Sequence, residues 1–233
     1  MKTSTKIILA YTILLLTGAL TIFIAEIYVG KQGQEKRLYN VFTKQLPPFS
    51  VVVAEENARF RIEMSDTNSI DWKLPKDMSI KGEPAYVRND TLFVTKTLTG
   101  DAQDFVVRSK ALTIIVTSKG SCIRLIDPIL DKLTVLGKGG EVFLDNEQQK
   151  NTIRIGQLDI VGKKMDRIQI SIPMNCLNAQ LDSVELTTYA QVNEANLDLV
   201  KNSYVQFNNY KLSRLKLKKD SSCWVKINYN HEI

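Results

Sequence analysis

A repeat constrains this chain more than any other feature. In "ANLDLVKNSYVQF", residues 195–207, Leu197 and Leu199 flank one acidic residue, and Val205 and Phe207 flank one glutamine after a short polar spacer. The same form appears as Leu158-Asp159-Ile160 before Ile168-Gln169-Ile170, and as Leu215-Lys216-Leu217 before Val225-Lys226-Ile227. Starts placed at Leu158, Leu177, Leu197 and Leu215 give a period of 18–20 residues, with two short strands in each unit. Apolar residues on either side of a polar one put the apolar pair on one strand face and the polar residue on the other. A period near twenty marks a solenoid, whose units bury their apolar faces by stacking on one another. In a β-solenoid the equivalent residues of successive coils stack about 4.8 Å apart. Asn146, Gly162, Asn175, Asn202, Asn208 and Asn209 fall at the expected corners, where tight turns favour a left-handed backbone.

Alternation extends back to about residue 49. Phe60, Ile62 and Met64 alternate with Arg59, Arg61 and Glu63, and after the turn-like "SDTNS" Ile70, Trp72 and Leu74 alternate with Asp71 and Lys73. No stretch beyond residue 48 carries a ten-residue amphipathic helical pattern, so the main domain, residues 49–233, is expected to be all-β. A β-sandwich is the alternative, because its short strands and frequent turns produce a similar pattern. The recurrence of the paired motif at a fixed distance favours the solenoid.

The segments "YVRNDTLFV", "ALTIIVTS", "LDKLTVLGKGGEVFL", "QLDIVG" and "ANLDLV" follow one another in this order. Over residues 49–228 this order resembles the bacterial auto-transporter adhesin head GIN domain family. The resemblance implies a single-stranded right-handed parallel β-helix in an exported or envelope protein. The Gly-Ser and Asp-Ser steps common between rungs of that family are mostly replaced here by larger polar residues, so no ligand surface is carried across.

Residues 7–25 contain no charged side chain and are flanked by Lys2 and Lys6 before and Glu26 and Lys31 after. As a helix rising 1.5 Å per residue they reach roughly 28 Å, close to the hydrocarbon thickness of a bilayer. Residues 1–30 are therefore expected to be a single-pass membrane anchor, with cleavage after a signal peptide as the alternative: Thr17-Gly18-Ala19 offers small residues, but the apolar run continues to Ala25. With no cysteine following the segment, lipid modification there is excluded. The layout favours a cytoplasmic N-terminus and a periplasmic main domain at a bacterial inner membrane; cleavage would release it. In "QGQEKRLYNVFTKQLPPF", Leu38, Val41 and Phe42 at i, i+3 and i+4 predict a short helical stalk over residues 31–48, ended by Pro47-Pro48.

Charge and chemistry narrow the function. A net charge of +6, from 31 basic and 25 acidic residues interspersed along the chain, is too diffuse for a dedicated nucleic-acid binder. His231, the only histidine, is third from the end, which rules out histidine-dependent triads and a histidine-built metal site. Cys122, Cys176 and Cys223 have no metal-binding spacing and read as small buried core residues. Asp159 and Asp198 are expected at equivalent outward positions two repeats, about 10 Å, apart, somewhat beyond the spacing of a carboxylate pair for inverting glycoside hydrolysis. In "KLSRLKLKKD", Lys211, Arg214, Lys216, Lys218 and Lys219 form the densest basic stretch, suited to an anionic glycan or lipid phosphate, or to a charged edge on the last coil. "LGKGGEV", residues 136–142, lacks phosphate-loop spacing and reads as a turn, and Asn89-Asp90-Thr91 matches a glycosylation sequon. No catalytic, cofactor or metal residue is assigned. The expected function is a non-catalytic envelope binding or structural module engaging polysaccharide or another envelope protein, with an envelope-sensing signalling subunit and a carboxylate-based lyase or hydrolase as alternatives.

Overall fold

The structure is a computed structural model that describes residues 39–75, 83–95, 105–148, 154–208 and 212–228, together with 17, 18, 20, 21 and 152. Two compact units divide the chain: residues 1–39 with 75–77, and 40–74 with 78–233. In the first, Thr17, Gly18, Leu20 and Thr21 are helical, and the Thr21 hydroxyl donates back to the carbonyls of Thr17 and Gly18. Most of the expected membrane segment lies outside the described residues, and no helix among the described residues is long and apolar enough to cross a membrane.

The second unit is all-β and holds two large mixed sheets. Nine strands form one: β2 (Val51–Ala54), β5 (Ala85–Arg88), β6 (Thr91–Val94), β8 (Ile114–Thr117), β10 (Leu130–Gly137), β12 (Ile155–Lys163), β14 (Met174–Asp182), β16 (Val192–Val200) and β18 (Arg214–Lys219). Ten form the other: β1 (Tyr39–Gln45), β3 (Arg59–Met64), β4 (Ser69–Pro75), β7 (Phe105–Ser109), β9 (Cys122–Ile126), β11 (Glu141–Asp145), β13 (Arg167–Ile170), β15 (Glu185–Thr188), β17 (Tyr204–Asn208) and β19 (Trp224–Asn228). From β8 onward consecutive strands alternate between the sheets, and each of β8 to β17 pairs in parallel with the strand two places later. β4 with β7 and β5 with β6 pair antiparallel.

Register stacks the core. In the nine-stranded sheet the buried Ile115, Val135, Ile160, Ala179 and Leu197 stand one above another; in the other sheet Ile123, Val142, Ile168, Leu186 and Val205 do the same. Side chains of both sheets meet in one continuous core, each fully buried Leu, Ile, Val or Phe stabilising by about 1.5–3 kcal/mol. Both the solenoid and the sandwich expectations call for two sheets sharing a core. At the C-terminal end, β18 and β19 have a neighbour on one side only, and Leu217 and Trp224 are exposed accordingly.

Three local expectations need correction. The repeat starting at Leu197 is out of phase by two: Leu177 stacks on Ala195, while Leu197 stacks on Ala179. Ala195 and Ala179 are inward yet small, so the first Leu-x-Leu pair in the segment looked like its start. Residues 39–45 of the expected helical stalk are a strand, β1, hydrogen-bonded to β4, with Phe42 stacked on Trp72 at 5.5 Å between ring centroids. Tyr39, Val41, Phe42 and Thr43 are good strand formers, and sheet pairing outweighs the short helical spacing. Of the five proposed corner residues that are described, only Asn202 has a left-handed backbone, at φ 60°; Asn146 follows β11 without one, Gly162, Asn175 and Asn208 are within strands, and Asn209 lies outside the described residues. The corner after the long strands β12, β14 and β16 does take that conformation, through Lys164, Ser183 and Lys201-Asn202.

Candidate functional site

From β10 to β18 the nine-stranded sheet turns alternate residues away from the core, and register aligns them in three rows. Lys132, Gln157, Cys176, Glu194 and Arg214 form the first. Thr134, Asp159, Asn178, Asn196 and Lys216 form the middle row, and Leu136, Val161, Gln180, Asp198 and Lys218 the third. Stacking of parallel strands near 4.8 Å lets a carboxamide on one strand donate to the next. Asn178 Nδ2 donates to Asp159 Oδ1 at 2.7 Å, and Asn196 Nδ2 donates to Asn178 Oδ1 at 2.8 Å. Gln157 Nε2 reaches both Asp159 oxygens at 2.8 and 3.0 Å, and Lys132 Nζ lies 2.8 Å from Oδ2. Asp159 thus fixes the direction of the whole chain of amides: because Asn178 must donate to it, the Asn178 oxygen accepts from Asn196, and the Asn196 oxygen faces the open end. Burial works to raise the Asp159 carboxyl, but the hydrogen bonds from Lys132, Asn178 and Gln157 outweigh it and hold the group below the usual carboxylate range.

An open groove of about 440 Å³ runs over β14, β16 and β18, with Asn178, Gln180, Asn196, Asp198, Lys216 and Lys218 along it. Lys218 Nζ pairs with Asp198 at 3.1 Å and Arg214 with Glu194 at 3.5 Å, both exposed pairs of small energetic weight. Lys216 makes no ion pair among the described residues and is free to meet an anion. Such a groove can bind hydroxyls with oriented amides and an acidic group with lysine.

Asp159 and Asp198 are not equivalent. Asp159 aligns with Asn178 and Asn196, whereas Asp198 aligns with Gln180 and Val161, because the two-residue phase error puts Asp198 in the neighbouring row. Among the described residues no group of three or more His, Cys, Asp or Glu side chains is placed to hold a metal ion.

The other sequence candidates are dispersed. Arg214, Lys216, Lys218 and Lys219 lie on β18, the last strand of its sheet, while Lys211 and His231 fall outside the described residues. In "LGKGGEV", Gly139 and Gly140 have φ of 110° and 78° and turn the chain from β10 into β11. Asn89 and Asp90, at φ 49° and 60°, form the two-residue turn of the β5–β6 hairpin, leaving the sequon asparagine exposed. All three cysteines are free thiols. Cys223 is buried as expected, but Cys122 and Cys176 are half-buried on outward strand positions, where burial above all pushes their thiols up. Each alternates with a buried neighbour, Ile123 or Leu177, that takes the core position instead.

Lys132, Gln157, Asn178 and Asn196 escaped the sequence reading although Asn178 and Asn196 lie one repeat apart. A repeat phased on Ala195 would have aligned them. Arg154 escaped too: its buried guanidinium donates to the carbonyls of Asp127 and Pro128 at 3.3 and 3.4 Å and clamps the loop entering β10. Nothing in its sequence context marks it.

No family model matches this chain, and no curated protein matches it. Similar solved structures include a candidate adhesin from Bacteroides fragilis, 10% identical with a TM-score of 0.47, covering 82% of this chain and 98% of that one. Others are a candidate lipid-binding protein from Parabacteroides distasonis (12%, TM-score 0.48, 82% and 96% covered) and a candidate adhesin from Parabacteroides merdae (14%, TM-score 0.41, 82% and 96% covered). Likeness at this level assigns no activity to the chain.

Proposed function

We propose that this chain is a non-catalytic binding module of the bacterial envelope that takes up acidic polysaccharide along the amide-lined groove of β14, β16 and β18. In this reading the β domain is wound as a right-handed parallel β-helix, residues 7–25 hold it to the inner membrane, and it projects into the periplasm. Alternation of consecutive strands between two sheets, with parallel pairing at offsets of 18–20 residues along β12 to β18, supports the winding. The GIN-like order of segments supports membership of that envelope family.

One observation carries the functional reading: the amides are already oriented before any ligand arrives. Asp159 and Lys132 fix Asn178, which fixes Asn196, so the groove offers its acceptor and donor groups without reordering side chains. Preorganisation of this kind avoids the entropy cost that weakens recognition of flexible saccharides. Lys216 and Lys218 at the end of the groove suit a uronate or phosphate on the saccharide.

A glycan array carrying neutral and acidic oligosaccharides tests the proposal with the full chain in detergent. Acidic members are expected to be retained, with retention reduced about tenfold by Lys216→Glu or Asn196→Ala and unchanged by Gln169→Ala on the other sheet. Retention of neutral and acidic sugars alike, or retention indifferent to both groove variants, would show the reading to be wrong.

A further inference from the structure

We infer that the groove's ligand carries an acyl chain, which lies along an apolar stripe continuous with the groove on the same face of the nine-stranded sheet. This inference rests on the proposed groove reading and specifies the ligand class: an anionic, hydroxyl-rich head group on a single acyl chain.

The stripe is a property of register. The third outward row of the groove, Gln180, Asp198 and Lys218, continues in the other direction through residues that are all apolar. Gln180 stands beside Val161, Val161 beside Leu136, Leu136 beside Val116 and Val116 beside Val53. Val53 then stands beside Phe93, and Phe93 beside Tyr86, whose ring stacks on it at 5.1 Å. Six strands therefore each contribute one outward apolar residue to a single line. Val161, Tyr86 and Leu136 are 47%, 41% and 37% exposed, and the other three are half-buried. The facing positions of the ten-stranded sheet are built differently. There Arg61 pairs with Glu63, Arg108 with Glu63 and Asp71, and Arg124 with Asp145, so the outer surface over β3, β4, β7, β9 and β11 carries ion pairs instead of an apolar line.

The shape of the stripe selects its occupant. Six rows span five inter-strand gaps, about 24 Å, while an acyl chain in one leaflet of a bilayer occupies about 15 Å. The stripe is one side chain wide over most of its length, widened in the middle by Val51 and Ile114. Two residues further along the strands the same face carries Glu55, Lys138 and Lys163, and on the other flank Thr91, Thr134 and Asp159. A flat bilayer or a second protein copy would have to desolvate both flanks, and a stable protein interface needs roughly 800 Å² from each partner. A single chain covers the stripe and leaves the flanks wet. Where the apolar row ends at Val161, Gln180 follows and then the Asp198–Lys218 pair, while the middle row beside it runs from Asn178 and Asn196 to Lys216, unpaired among the described residues, so that a tail on the stripe leads into amides for a polyol and a lysine for an anion.

Photo-crosslinking tests this with the full chain in phosphatidylcholine nanodiscs. Two probes, a lysophosphatidylglycerol and an alkyl glucuronide, each carry a diazirine in the chain, and crosslinked peptides are located by mass spectrometry. Crosslinks are expected within residues 51–54, 85–94, 114–117, 130–137 and 155–163, and the preferred probe tells a phospholipid from an acylated sugar acid. Leu136→Lys with Val161→Lys should reduce them about tenfold without shifting the thermal melt, and the milder Val161→Ser should reduce them less. Crosslinks spread over the ten-stranded sheet, or unchanged in both variants, overturn the inference. Glycerophosphoglycerol or glucuronate competing as well as the acylated probes would overturn it while leaving the groove reading intact. Retention of neither probe nor head group would remove both.

Discussion

Asp159 holds the face together at the scale of a single side chain, since Lys132, Gln157 and Asn178 all converge on its carboxylate. Replacing it by alanine leaves the half-buried amides of Gln157 and Asn178 short of a partner, the exposed Lys132 turning to water, and is expected to cost about 1–3 kcal/mol at neutral pH, read from denaturant unfolding. The sign of its pH dependence follows from the depressed pKa. A carboxyl held below its unfolded value, near 3.9, stabilises the fold fully above that value and loses the contribution as pH falls through the lower folded value. Wild type should therefore lose more stability across that acidic window than Asp159→Asn, and equal losses in the two proteins would contradict the assignment. In the sequence Asp159 stood out for the wrong reason, as half of a candidate catalytic pair. Its real partners are 2, 19 and 27 positions away along the chain, and only register brings them together.

Gly140 shows what the sequence could reveal about the elements and their joints. The glycines of "LGKGGEV" announce a turn whatever the fold, because few other residues tolerate such a backbone. At Gly140, φ is +78° and an added Cβ would sit 2.6 Å from the carbonyl oxygens of Ser118 and Ser121. Gly140→Ala is accordingly expected to lower stability by about 1–3 kcal/mol in thermal or chemical unfolding, whereas Asn202→Gly, at φ 60°, should change it by less than about 0.5 kcal/mol. The strands themselves were legible from period-two alternation, but their phase was not. Inward alanines at 179 and 195 are too small to register as core, so the apolar pair at Leu197 and Leu199 was aligned two residues away from its true equivalents. The same slip separated Asn178 from Asn196 and hid the site. Over residues 38–42 the spacing of Leu38, Val41 and Phe42 suggested a helix, but residues 39–45 carry strand-forming side chains, and pairing with β4, a contact invisible in local sequence, decided it.

For the molecule as a whole, the proposed winding makes a prediction that a sandwich does not. Met174 and Val192 are in register, so deleting residues 174–191 removes one full coil and joins Pro173 to the start of an equivalent strand. The shortened protein is expected to keep its β circular dichroism and one cooperative melt at lower temperature, as stacked repeats lose stability in increments; loss of all β structure would contradict the coil. The all-β class was readable because alternation is local, while the exposed apolar line from Tyr86 to Val161 was not, since its members sit on six strands in no regular sequence spacing. Hydrogen exchange of the full chain, with and without an acidic polysaccharide that it retains, tests the central claim most directly. Binding in the groove predicts slowed exchange in peptides spanning 174–182, 192–200 and 214–219, and protection confined to the ten-stranded sheet would contradict it.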